Sequence, residues 1–170
     1  MKNHIVISIR ITLVLLVITC GIYPLAVWGI GQIAFHDQAN GSLVTRDGKV
    51  VGSALIGQEF ASDRYFHGRP PGVSNWGPTS RALAQRLAGR DRSSDAATTS
   101  ASGVDPHISP AYARLQVARV AKARRMDENR LRALVDRHVE GRFLGIYGEP
   151  RVNVLLLNLA LDELHPPPRS

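Results

Sequence analysis

The sequence predicts one small α+β domain carried on a single N-terminal transmembrane helix. Three observations lead there. No charged residue interrupts the run from Ile11 to Gly31, ITLVLLVITCGIYPLAVWGIG, and its apolar character continues through Ile33, Ala34 and Phe35. Short β-forming runs flank an Asp47-Gly48 pair, the pattern of a β-hairpin. Apolar residues recur at helical spacing over Pro110–Arg125 and again over Glu128–Glu140.

The apolar run is long enough to cross a hydrocarbon core of roughly 30 Å at about 1.5 Å per residue. It exceeds the roughly 7 to 15 residues of a signal-peptide core, so a retained anchor is expected rather than a cleaved leader. Pro24 kinks such a helix without forbidding it, and Gly21, Gly29 and Gly31 suit close packing against other membrane helices. Lys2 and Arg10 precede the span, whereas Gln32 to Thr45 contains no lysine or arginine. The positive-inside rule then assigns residues 1–10 to the cytoplasm, 11–35 to the inner membrane and 36–170 to a single periplasmic domain.

Composition limits what that domain does. Residues 36–170 suffice for one hydrophobic core. Cys20, the sole cysteine, lies inside the span, which leaves no pair for an intrachain disulfide. The net charge is +7, from 21 lysines and arginines against 14 acids. The basic residues are scattered among acids with few aromatics between them, a pattern that does not fit nucleic-acid binding. Membrane lipid is the partner that the span requires.

Taken in order, the elements are justified by local chemistry. Asp47-Gly48 suits a type I′ turn because both central residues need positive φ, so strands are expected on either side within Ser42–Gly52. Gly52 to Phe60, GSALIGQEF, offers an apolar edge in Ala54, Leu55 and Ile56, with glycines for sharp turns at 52 and 57. From Tyr65 to Pro78 the density of glycine and proline excludes regular structure. Tyr65, Phe66 and Trp76 would expose much apolar surface in a free loop, so this segment is expected to pack on the domain or on a partner.

Pro78–Ala88 reads as a helix capped by Ser80 or Thr79, with Leu83 and Leu87 on one face. Residues 89–102 hold no large apolar side chain and read as a surface loop without a place in the core. Ser109-Pro110 is a cap followed by proline at the first helical position. The helix to Arg125 turns Tyr112, Gln116, Val120 and Ala123 to one face beside Ala113 and Val117, and Arg114, Lys122 and Arg125 to the other. Asp127 caps the next helix, expected to run to Glu140 and stop at Gly141, with Leu131, Leu134, Val135 and His138 on one face. A short strand over Phe143–Tyr147, a turn at Gly148-Glu149-Pro150 and a last helix capped by Asn153 complete the chain.

Several stretches in this order carry a resemblance. GSALIGQEF contains Gln58 and Phe60, YFHGRP contains Tyr65 and Arg69, and NWGPTS contains Asn75, Gly77 and Pro78. SASGVDPHISP contains Ser102, Gly103, Asp105, Pro106, His107 and Ser109. QVARVAKAR contains Gln116 and Arg119, and GEPRVNVLLLNLALD contains Asn153 and Asn158. With the span in front, the whole chain resembles the C-subunit family of the bacterial Kdp potassium-transporting ATPases.

The resemblance implies a non-catalytic accessory subunit with no cofactor of its own. Its partners would be a channel-like potassium-binding subunit, a P-type ATPase subunit to which ATP and Mg belong, and a small single-span subunit. Potassium is the transported ion. The family is described as a catalytic chaperone that raises the ATP affinity of the ATPase subunit, with its domain over the periplasmic ion entrance. This sequence departs from the family pattern in its shorter stretches near 70–75 and 89–97, and in Ala101, which stands where the family usually has glycine. At positive φ an alanine there would strain the turn by about 1 kcal/mol.

Other chemistries are weaker readings of the same residues. Ser102, Asp105 and His107 suggest a membrane-anchored periplasmic hydrolase, but a triad needs mutual geometry that adjacency does not supply, and Asp105 and Ser109 read better as turn and cap residues. His67, Asp105 and His107 lack the spacing of a convincing metal site. Gln116 on an apolar face is either a buried amide satisfied by backbone or a contact to a partner. The chain has neither a phosphate-binding loop nor the phosphorylation motif of a P-type ATPase.

Overall fold

Proline chemistry shapes the span. In the computed structural model, which describes residues 2–70, 77, 79–88 and 94–166, α1 (Lys2–Leu16) passes through a π-helical turn at Val17–Ile22 into α2 (Tyr23–Ala34). Pro24 has no N–H to offer the carbonyl four residues back and its ring crowds that carbonyl. Widening one turn, so that the Tyr23 N–H bonds Ile18 O five residues back, accommodates the misfit locally. The continuous helix Asn3–Ala34 is long and apolar enough to cross a membrane, and within its own unit none of the described residues buries its apolar window. α3 (His36–Ala39) follows, fastened by Asn40, whose Nδ2 donates to Gln32 Oε1 at 3.1 Å and His36 O at 2.7 Å.

Met1–Leu43 and Val44–Ser170 form separate compact units. The second begins in a two-stranded hairpin of β1 (Leu43–Arg46) and β2 (Lys49–Ser53). Asp47 and Gly48 turn it with φ of 51° and 74°, the two left-handed residues of a type I′ turn. Two short helices, α4 (Arg81–Ala88) and α5 (Ser94–Ala97), precede the core elements.

Those are β3 (His107–Ile108), α6 (Pro110–Arg124), α7 (Glu128–Arg137), β4 (Val139–Glu140), β5 (Arg151–Asn153) and α8 (Val154–Leu164). The strands form an antiparallel sheet in the order β3-β5-β4, with Ile108 and Val139 both opposite Val152. Helix starts follow the capping chemistry: Ser109 Oγ accepts from Tyr112 N, Asp127 Oδ1 from Arg130 N and Asn153 Oδ1 from Leu156 N. Arg125, left-handed at φ 55°, closes α6 and turns the chain into α7. Val117 and Val120 of α6, Leu131 and Val135 of α7, and Leu157 and Leu161 of α8 are fully buried together, with Phe66 inserted from the preceding loop.

The structure corrects three expectations. The second amphipathic helix stops at Arg137, not at Gly141, because Val139 and Glu140 leave it to pair with β5. Phe143–Tyr147 is a tight turn closed by a single bridge between its ends, not a strand. The described part of the 89–102 stretch, residues 94–102, does reach the core: Ala96 and Ser100 are buried and Asp95 Oδ2 accepts from Ser109 N at 2.6 Å. Ser100–Pro110, dense in turn-forming residues and ending in the Ser109-Pro110 helix start, also contributes β3. Small side chains enter the core where two loops run close, with no large apolar residue to announce them. The loop around Tyr65 packs as expected for Tyr65 and Phe66, whereas Trp76 and the side chain of Leu87 lie outside the described residues.

Candidate functional site

The segment Asp63–His67 has almost no partner in regular structure, yet its backbone is met by side chains from two helices. From α6, Arg119 Nη1 donates to Asp63 O at 2.8 Å and Arg119 Nη2 to Tyr65 O at 3.0 Å. Arg124 Nε donates to Arg64 O at 2.7 Å. Two carboxamides act as substitute strand partners. Asn158 of α8 accepts from Phe66 N at 2.8 Å and donates to Phe66 O at 2.9 Å, while Gln116 does the same for His67 at 2.8 and 3.0 Å. Each satisfies both polar groups of one residue, which lets the Phe66 side chain sit in the core without stranding its peptide groups.

Under this segment lies a charged cluster that sequence reasoning missed. Arg124 is fully buried, its Nη2 2.6 Å from Asp162 Oδ1 and its Nη1 2.7 Å from His165 O. Its guanidinium stacks 4.7 Å from the Tyr65 ring centroid, and the Tyr65 hydroxyl donates to Asp162 Oδ2 at 3.1 Å. Arg46 reaches the same carboxylate oxygen at 3.5 Å. Arg124 falls four residues after Val120 and eight after Gln116, so helical spacing already placed it on the buried face; its charge concealed that.

Above the segment an open groove of about 740 Å³ is bordered by seven of the sequence candidates: Gln58, Phe60, Arg69, Gly103, Asp105, Gln116 and Arg119. His67, Tyr112 and Leu115 complete much of its wall. Its polar groups fasten loops to one another. Gln58 Nε2 donates to Val51 O, and Arg69 donates to Thr98 Oγ1 at 2.9 Å, to the carbonyls of Thr98 and Thr99, and lies 3.8 Å from Asp105 Oδ2. Gly57 donates to Val104 O at 2.7 Å, and a Cβ on it would stand 2.5 Å from Asp105 O, so only glycine permits that approach.

The remaining candidates occupy defined places. Ser102 Oγ accepts from Val104 N at 3.3 Å and meets Ser100 Oγ at 3.5 Å, partners from its own turn. Asp105 Oδ1 accepts from His107 N at 2.9 Å and lies 3.6 Å from His107 Nδ1. The structure therefore brings Asp105 and His107 together and ties Ser102 to Val104 and Ser100 instead. Pro106 is buried and its carbonyl accepts from Val154 N at 3.0 Å. Asn153 Nδ2 donates to Ala54 O at 2.8 Å, which links the last strand to the residue after β2. Asn75 and Pro78 lie outside the described residues, and Gly77 accepts from Ser80 N. Ala101 is not left-handed; Gly103, at φ 74°, takes that conformation, so the alanine carries no backbone strain. Among the described residues no three His, Cys, Asp or Glu side chains converge as metal ligands. In the span, Gly21 and Gly29 face open space, and Gly31 is met by Ala39 Cβ.

An apolar helix long enough to cross a membrane, joined to a small α+β domain whose polar groups lace its own loops, is the architecture that the described residues define. The family is then plain: the model for KdpC, K+-transporting ATPase, c chain, matches residues 5–163, and the chain belongs to that family. The potassium-transporting ATPase KdpC subunit of Bradyrhizobium diazoefficiens is 50% identical, over 91% of this chain and 94% of the relative. Those of Koribacter versatilis and Gloeobacter violaceus are 44% and 50% identical, over 99% and 85% of this chain and 98% and 88% of the relatives.

Proposed function

We propose that this chain is the accessory C subunit of an ATP-driven potassium uptake complex, anchored in the inner membrane by residues 11–35. In this reading residues 1–10 are cytoplasmic and residues 36–170 are a periplasmic domain over the ion entrance of a channel-like subunit. Family membership supports the subunit role, and the uncovered helix Asn3–Ala34 carries the membrane part of it: an apolar surface of that length needs lipid and neighbouring helices. Catalysis belongs to partners. ATP and Mg are held by the P-type ATPase subunit, potassium is the cargo, and the small single-span subunit completes the assembly.

A periplasmic domain cannot touch ATP in the cytoplasm. An effect on nucleotide affinity therefore reaches the ATPase subunit as a coupling free energy, typically about 1–3 kcal/mol. Cations approaching an arginine-rich domain would be repelled by bare guanidinium groups. Here Arg114, Arg119, Arg142 and Arg151 each pair with a carboxylate of the same domain, which reduces that field.

A topology reporter tests the arrangement. Alkaline phosphatase fused at the C-terminus is expected to be active and a cytosolic fluorescent reporter dark; the reverse would overturn the periplasmic assignment. Affinity purification of the tagged full chain is expected to recover the large transport subunits, with Ser102→Ala leaving recovery unchanged.

A further inference from the structure

β4 and β5 continue beyond the sheet as a projecting hairpin with a polar stem and an apolar tip. In the stem Glu140 lies opposite Arg151, with Arg151 Nε 2.9 Å from Glu140 Oε2, and Arg142 Nη2 is 3.2 Å from Glu149 Oε2. The tip is closed by Phe143 N donating to Tyr147 O at 2.8 Å and Tyr147 N to Phe143 O at 3.0 Å. Phe143, Leu144, Ile146 and Tyr147 are 72%, 75%, 72% and 66% exposed. Four consecutive large apolar side chains separated only by Gly145 are more than a soluble surface ordinarily leaves open, and such patches mark interaction sites. Leu144 adds a second sign. Its φ is 52°, a conformation that asparagine or glycine adopts with less strain, so a turn needing only chain reversal would not call for leucine.

We infer that this tip docks the domain onto a membrane-embedded partner subunit of the complex, in an uncharged apolar recess. The inference rests on the subunit reading above. Charge selects protein over lipid as the occupant. The four stem charges cancel in pairs within the hairpin, so it offers anionic headgroups no net positive charge, and lipid insertion would draw Arg142 and Glu149 to the hydrocarbon boundary. An aromatic and aliphatic centre ringed by paired charges has instead the anatomy of a protein interface, with Phe143 and Tyr147 as anchors.

The test uses the full-length tagged chain expressed with its complex. A photoreactive benzoylphenylalanine at position 146, irradiated in native membranes, is expected to form an adduct that mass spectrometry identifies as another transport subunit. A Phe143→Ser/Ile146→Ser double variant is expected to lower recovery of those subunits about tenfold or more at unchanged membrane level of the chain. Leu144→Asn, which retains the left-handed turn, is expected to lower it in the same direction with the domain's circular dichroism unchanged. An adduct confined to lipid, or wild-type recovery by the double variant, would overturn the docking assignment while leaving the subunit reading intact. Failure of the unmodified chain to recover any transport subunit would overturn both.

Discussion

The two hairpins of the domain turn on similar pairs of left-handed residues and differ in the side chains that those pairs carry. Asp47-Gly48 and Leu144-Gly145 have nearly the same φ, 51° and 74° in one and 52° and 74° in the other. The first carries a charged residue where its geometry prefers one, and the chain beside it is tied to the domain by Gln58, Arg46 and Asn153. The second carries leucine at the equivalent position and holds four apolar side chains out in water. A similar pair of left-handed residues serves chain reversal in one case and presentation of side chains in the other. Chemistry, not backbone form, distinguishes a structural hairpin from one built to meet a partner.

The largest effect on that contrast should come from Asn153, the residue that joins β5 to the end of the first hairpin. Asn153→Ala removes the α8 cap and the bond to Ala54 O together, with an expected loss of about 2 kcal/mol. Thermal unfolding of the full chain in detergent should register it as a fall of several degrees, and an unshifted midpoint would mean that the hairpins are not joined there. Next in size, Gly48→Val and Gly145→Val place a β-branched side chain at the same φ and should each cost about 1–2 kcal/mol. Urea denaturation that separated them clearly would show that the turns are not equivalent. Smallest is the reciprocal exchange of the first turn residues. Leu144→Asn should stabilise by about 0.5 kcal/mol and Asp47→Leu destabilise by a similar amount or somewhat more, so equal melting temperatures would deny leucine its conformational strain.

What was legible from residues alone was local. An uncharged run spells a span, Asp-Gly spells a turn, and Ser109, Asp127 and Asn153 cap their helices through contacts only three residues long. Strands of two or three residues escape notice because alternation needs a longer run, and β4 was absorbed into the helix before it. Leu144-Gly145 gave no turn signal, since closure of the ion-paired stem, not the leucine, imposes its left-handed backbone. Spacing put Gln116 among apolar residues, but the backbone that satisfies it belongs to His67, 49 residues away. Arg124 and Asp162 were hidden by the expectation that charges face water, an expectation that a guanidinium bonded to a carboxylate and two carbonyls does not obey.

The wide turn at Val17–Ile22 inserts an extra residue into the span, and one residue is worth about 100° of rotation about the helix axis. Positions on one side of Lys2–Leu16 are therefore out of phase with those on the same side of Tyr23–Ala34. A straight neighbouring helix can match one half only. The two halves of the helix therefore present different faces to a common neighbour, with Gly21 inside the wide turn and Gly29 beyond it.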